Sequence, residues 1–203
     1  MTWGSNDKGL MYCRTFLEKF WQNNLTNDDR DAWLELWLTT PPTDGRGRYY
    51  TPYPRTNMQQ TRRDPPTIYA WAVMPAVYYA DSEPPARPPA DAPPIVTWQV
   101  YMQTPVNLCV QSSISGTLTG DEVALFYLAK NHSATSAAKI TACNFARAVT
   151  ELTDGQTIAL GYLLNNGEPL TVGDSYTIWP RLCGTGRGAV PQMPPITATV
   201  TAL

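Results

Sequence analysis

Pro84-Pro85-Ala86-Arg87-Pro88-Pro89-Ala90-Asp91-Ala92-Pro93-Pro94 divides this chain into two regions that follow different rules. Paired prolines supply no backbone N–H to a helix or an inner strand and prefer the extended polyproline II form, so the segment reads as a stiff spacer. Before it, apolar residues fall at helical spacing among Arg, Tyr and Pro; after it come short alternating runs of Val, Ile, Thr and Tyr cut by Gly, Asn and Asp. The expected organisation is a helical, Arg/Tyr-rich region over 1–83, the spacer over 84–94 and a β-sandwich over 95–203. The fold class is α+β, predominantly β: an N-terminal helical and irregular arm, then a seven-stranded immunoglobulin-like or fibronectin III-like β-sandwich.

On the N-terminal side, Phe16, Leu17, Phe20 and Trp21 mark one face of a helix over Tyr12 to Trp21, ended by Asn23-Asn24. A second helix starts at Leu25-Thr26-Asn27-Asp28-Asp29. Thr26 suits the N-cap, Asp28 and Asp29 suit the positive helix end, and Asp29 stands at the capping-box position. Ala32, Trp33, Leu36 and Trp37 form its apolar face, and Pro41-Pro42 stops it. The pair reads as a helical hairpin whose aromatic side meets another surface. Thr67 to Ala80 (TIYAWAVMPAVYYA) is strongly apolar. Its alanines favour a helix, with Ile68, Trp71, Ala72 and Pro75 on one face, while Tyr, Val and Ile leave a strand as the competing reading.

Between these helical patterns lies Thr43 to Asp64, which reads as irregular. It holds Arg46, Arg48, Arg55, Arg62 and Arg63, five of the fifteen Lys and Arg, with no acid between Asp44 and Asp64. Tyr49, Tyr50 and Tyr53 are interleaved. Arg and Tyr are favoured at protein interfaces, so the stretch reads as an arm lying on an acidic or polar partner, with Trp33 and Trp37 packing beneath it. A solvated loop packed on its own domain is the plainer reading. Aromatic and Arg side chains also stack on bases, but the net charge of −2 gives no global pull toward nucleic acid or an anionic membrane.

From Ile95 onward the candidate strands are Val96–Gln103, Val106–Ser112, Glu122–Ala129, Ile140–Val149, Thr157–Leu164, Ser175–Cys183 and Ile196–Thr201. Turn signals separate them at Thr119-Gly120-Asp121, Thr153-Asp154-Gly155, Asn165-Asn166-Gly167 and Val172-Gly173-Asp174. The strand aromatics, among them Trp98, Phe126, Tyr176 and Trp179, read as core.

Chemistry-bearing constellations are sparse. Cys13, Cys109, Cys143 and Cys183 are widely spaced and His132 is the only histidine, which argues against a zinc site. Buried thiols in a reducing cytoplasm fit this usage, and a disulfide within the second region stays open. Gly184-Thr185-Gly186-Arg187-Gly188 lacks the phosphate-loop pattern and reads as a loop between the last two strands. Asp28, Asp29 and Asp31 at a helix start are explained by capping. With no catalytic set, no cofactor motif and no apolar run near the ~20 residues of a membrane helix, an enzyme or a membrane protein is not expected. The N-terminus lacks the basic and apolar segments of a secretory signal. Charged residues make up only 16% against a usual ~25%, which fits a surface partly covered by neighbours or simply rich in uncharged polar residues.

Leu25-Thr26-Asn27-Asp28-Asp29-Arg30-Asp31-Ala32-Trp33 resembles an "LTxxQRxAW"-like helix start found in a loosely defined family of virion-associated proteins of tailed bacteriophages and prophages, with Asp29 in place of the usual Gln. Asp44-Gly45-Arg46-Gly47-Arg48 resembles that family's Gly-containing loop, and Pro84-Pro85 with Pro93-Pro94 its proline boundary. Asn144-Phe145-Ala146-Arg147, Val172 to Arg181 and Ile196 to Val200 are similar in type to its C-terminal sandwich. The long Arg/Tyr arm and Pro75 depart from the pattern. The resemblance implies a non-enzymatic virion component, made in the host cytoplasm. A capsid decoration (cement) protein gripping the major capsid protein or its own copies leads. A tail or neck adaptor or fibre-anchoring subunit and a host-surface binding module stand as alternatives.

Overall fold

The computed structural model describes residues 7–42, 49–56, 58, 60–90, 95–104, 107–118, 122–132, 137–138, 143–160, 170–184, 188–189 and 195–200. The fold is α+β, with three helices and sheets that are mostly antiparallel. The chain forms two compact units. One comprises Met1–Pro93, Leu118–Val123 and Cys183–Pro191; the other comprises Pro94–Thr117, Ala124–Leu182 and Gln192–Leu203.

In the first unit, α1 (Asp7–Asn23) and α2 (Asn27–Thr39) form the hairpin expected from their apolar faces. The turn between them is fixed by side chains. Thr26 caps α2: its hydroxyl oxygen accepts from Asp29 N, and the Asp29 carboxylate accepts from Thr26 N at 3.1 Å, closing the capping box. Arg30, one residue on, donates from Nε to the Trp21 carbonyl at 3.1 Å and from Nη2 to the Gln22 carbonyl at 2.7 Å. A cation thus occupies the negative end of α1, whose last carbonyls have no partner within the helix.

Pro65–Tyr79 is α3, a helix rather than a strand, begun by Asp64 at the N-cap with Pro65 in the first turn. It holds no charged residue. Thr67 to Ala70, Ala72, Val73, Ala76 and Val77 are buried, whereas Trp71 is 41% exposed. Trp71 therefore does not share the buried face of Ile68 and Ala72, as its spacing suggested. It joins the half-buried Met74, Pro75 and Tyr78 in an outer stripe at i, i+3, i+4 and i+7. That placement suits Pro75, which lacks the N–H that the Trp71 carbonyl needs.

The three helices close on an aromatic core. Tyr69 lies edge-on to Trp33 at 5.3 Å and meets Trp21 at 5.4 Å and Phe20 at 6.3 Å; Trp37 stacks between Trp21 and Trp33 at 5.7 and 5.8 Å. Cys13, Leu17, Leu25, Ile68 and Val73 complete the cluster. Its polar handles point to the proline segment. Tyr69 Oη donates to the Pro85 carbonyl at 2.8 Å, Trp33 Nε1 donates to the Ala86 carbonyl at 2.9 Å, and Arg87 Nε reaches Asp29 Oδ1 at 2.8 Å. Residues 85–87 are thus strapped onto the helices. The Trp37 indole N–H is buried with no acceptor among the described residues. Two short strands, β1 (Tyr49–Thr51) and β2 (Gln60–Arg62), pair in parallel within the stretch read as irregular. A three-residue parallel ladder leaves no hydrophobic period to read.

In the second unit, β3 (Ile95–Thr104), β4 (Asn107–Ser115) and β7 (Thr157–Ala159) form one antiparallel sheet in that order. The other is ordered β10-β8-β5-β6, from β5 (Val123–Lys130), β6 (Asn144–Val149), β8 (Ser175–Gly184) and β10 (Ile196–Thr199); a two-residue β9 (Gly188–Ala189) folds back on the end of β8. Gly184 and Gly188 therefore pair rather than form an open loop, with 185–187 outside the described residues. Each of the seven expected strands has a counterpart. β7 ends at Ala159 instead of Leu164 because β4, its partner, begins at Asn107; Leu160 N makes the last bond, to the Leu108 carbonyl. The stretch 161–169, with the Asn165-Asn166-Gly167 turn, lies outside the described residues, as do 119–121. The other two turns are present, with Gly155 and Gly173 at φ +70° and +90°, where glycine alone is unstrained. Trp98 of β3 meets Phe126 of β5 edge-on at 5.0 Å, joining the two sheets. A buried polar knot closes the β5 end: Asn131 Nδ2 donates to Ser175 Oγ at 2.9 Å, and Thr177 Oγ1 donates to Asn131 Oδ1 at 2.5 Å.

The strap yields two expectations. Tyr69→Phe keeps the ring contacts but orphans the Pro85 acceptor, so urea unfolding should lose about 1 kcal/mol, with faster proteolysis at 84–90. Asp29 is held at about 2, below its ordinary 3.8, by the Thr26 hydroxyl, then Arg87, then the Thr26 N–H. Its ionised form is favoured by folding, so its contribution is complete above pH 3.8 and fades as pH falls toward about 2. Thermal unfolding of Asp29→Asn and wild type over that window should converge at the acid end.

Candidate interaction surface

The stretch between α2 and α3 divides by side-chain direction. Its backbone is anchored: Tyr50 N donates to the Pro42 carbonyl at 2.8 Å and Arg63 N to the Thr51 carbonyl at 3.0 Å. Tyr50 packs against the aromatic core, and Tyr53 Oη donates to the Leu34 carbonyl of α2 at 3.2 Å. Thr51 is buried and its hydroxyl oxygen accepts from Tyr53 N at 3.1 Å. The Gln60 side-chain oxygen accepts from both Thr56 N and Thr56 Oγ1, which closes the loop between the strands. Two of the three tyrosines therefore belong to the unit's own packing.

The arginines turn the other way. Arg55, Arg62 and Arg63 are exposed, and none forms an ion pair with a described residue. Tyr49 is 39% exposed, and Met58 stands clear of the surface. Arg46 and Arg48 lie outside the described residues. Trp33 and Trp37 are core residues, at 0% and 2% exposure, in the aromatic cluster against which Tyr50 packs. What results is a cationic surface on a pinned backbone. Pinning matters because a preorganised contact loses less entropy on binding than a mobile loop would.

A second exposed feature escaped the sequence reading. Arg14 of α1 lies over the Trp71 ring at 5.7 Å and pairs with Glu18 at 2.9 Å, while Met11 and Tyr12 on the same helix are each 68% exposed. The available signal was negative: α3 has no polar face, so nothing in its pattern said which side would be left outward.

The helix-start motif, by contrast, is absorbed by structure. Leu25 is buried, Thr26 and Asp29 cap α2, Arg30 holds the end of α1, and Trp33 sits in the core. Asp28 and Asp31 are exposed, and His132 lies exposed after β5. Among the described residues, no three His, Cys, Asp or Glu side chains gather as a metal-binding group. Cys13, Cys109, Cys143 and Cys183 are not joined by a disulfide. Burial pushes Cys13 up to about 12 and Cys143 to about 11, and raises Cys109, so these thiols stay protonated and are poor nucleophiles. Among the described residues, no helix is long and apolar enough to cross a membrane.

Comparison with protein-family models, with curated proteins and with solved structures finds no match to this chain.

Proposed function

We propose that this chain is a non-enzymatic virion structural protein, a capsid decoration protein that grips the shell through the arginine surface between α2 and α3. The observation that carries this reading is that surface: three exposed arginines with no acidic partner among the described residues, on a backbone tied at both strands. A cation array of this kind suits a carboxylate-bearing protein face, with Arg favoured for its planar, multidentate donors. The neighbouring copies around a symmetric shell would then add many modest contacts.

The same reading takes the second unit as an immunoglobulin-like, fibronectin III-like sandwich. Strand order supports it: β3-β4-β7 faces β10-β8-β5-β6, so the fourth strand, β6, joins the sheet that holds the third, sixth and seventh strands of the unit. Tyr176 supports it independently. It is the second residue of β8, it is buried, and its hydroxyl oxygen accepts from Thr171 N at 3.2 Å. A tyrosine corner of such sandwiches has this arrangement, and on this reading Ile178 takes the position of the second cysteine of antibody domains. Phe126, packed edge-on to Trp98, takes the place of the buried core tryptophan.

Quantitative mass spectrometry of purified particles tests the assignment. Decoration requires a copy number equal to the major capsid protein's or a simple fraction of it; a handful or a dozen copies moves the protein to the neck or tail, and absence from particles ends the virion reading. For the arm, Arg55→Ala/Arg62→Ala/Arg63→Ala should weaken particle binding roughly 30-fold, from about 0.7 kcal/mol per exposed pair, with a shallower salt dependence and an unchanged melting temperature. Unaltered binding would remove the arm from the interface.

A further inference from the structure

We propose that β3 pairs edge to edge with β3 of a second copy, joining two three-stranded sheets into one continuous antiparallel sheet. Every open sheet has edges, and folded proteins guard them with charges, prolines, bulges or short length. In the second unit three edges are guarded in this way. β7 is three residues long and β10 is four. β6 carries the exposed Arg147, and its ladder with β5 is broken by an irregularity at Phe126/Tyr127.

β3 is guarded only near its far end, where its ladder with β4 shifts register between Met102 and Thr104. It is ten residues long, Ile95–Thr104, with neither proline nor charge. Its register with β4 runs unbroken from Ile95↔Ser115 to Met102↔Leu108. Among the described residues it is paired as a strand with β4 alone. Val96 is buried, and Thr97 and Gln99 are exposed.

Charge decides the occupant. The whole hairpin from Ile95 to Thr117 contains no Asp, Glu, Lys, Arg or His. Across a two-fold axis each side chain meets its symmetry mate, so a charge near the axis repels its own copy, whereas Thr and Gln do not. A foreign acidic or basic strand would find no complementary charge here. The short β7 at the far edge stops the sheet from growing further, so the pairing closes as a dimer rather than a fibre.

Sedimentation equilibrium on the full chain tests this. Wild type should show a concentration-dependent dimer. Thr97→Lys/Gln99→Lys places like charges across the axis and should raise the dimer dissociation constant roughly tenfold or more. Ser113→Lys, exposed on β4 and one strand in from the edge, should leave the dimer intact. So should the Arg55/Arg62/Arg63 variant, which separates this contact from the arm. In wild type, amide exchange at Thr97 to Gln99 should slow as protein concentration rises, a readout that needs no variant. A wild type monomeric at every concentration, a dimer that survives both lysines, or concentration-independent exchange at these amides would overturn the proposal.

Discussion

The hydroxyl of Tyr69 sets the course of the chain through the first unit. The ring is held between α1 and α2 by Phe20, Trp21 and Trp33, so the hydroxyl is carried into an interior where an unpaired O–H would cost about 1–3 kcal/mol. The Pro85 carbonyl is its acceptor, which fixes where the segment after α3 must return. The next carbonyl, at Ala86, then falls to the Trp33 indole, and the next side chain, Arg87, reaches the carboxylate that caps α2. Three successive residues are registered by one buried polar group. Proline suits the role: an extended segment poor in N–H groups builds no ladder of its own, so its carbonyls remain available to side chains. Residues 85–87 of the proline stretch act as a strap on the helices.

The arm inherits its form from the same core. Tyr50 packs on the aromatic cluster and Tyr53 takes the Leu34 carbonyl, so the backbone at 50–53 is tied to the unit. Tyr50 and Tyr53 turn in, whereas Tyr49, Arg55, Arg62 and Arg63 face outward. The two readings of this stretch, an interface or a loop packed on its own domain, therefore apply to different residues within it. Tyr50 and Tyr53 serve internal packing, and Arg55, Arg62 and Arg63 with Tyr49 make the outer surface.

Features governed by local physics were legible in the sequence. The Thr26–Asp29 capping box, the glycine turns at 155 and 173 and the period-two strands each depend on a few neighbouring residues; the box and these turns stand where they were expected, and each expected strand has a counterpart, with β6 and β7 shorter than expected. Non-local features were not. The orientation of α3 depends on what α1 and α2 offer it, and a helix with no charged residue carries no pattern that says which side faces out. Hence Trp71 was placed on the wrong face. The parallel pairing of β1 with β2 joins residues eleven apart through three-residue strands, too short for any periodicity to register. Arg30 belongs to the same class: only the geometry of the hairpin aims it at the carbonyls of Trp21 and Gln22.

Charge is divided between the two units in a way that bears on assembly. The stretch Thr43 to Asp64 concentrates arginine, and Ile95 to Thr117 has no charge at all. Contacts made by these two surfaces would obey different physics. Guanidinium pairs at an exposed face are long-ranged, steer encounter and weaken with salt. Backbone pairing along a neutral strand is short-ranged, geometrically exact in register and nearly indifferent to salt. Neither is strong alone, since exposed ion pairs contribute little and a single added strand buries modest area. A protein that carried both could be drawn to a charged lattice by the first and locked to its neighbour by the second, with repetition by symmetry supplying the affinity that each contact lacks.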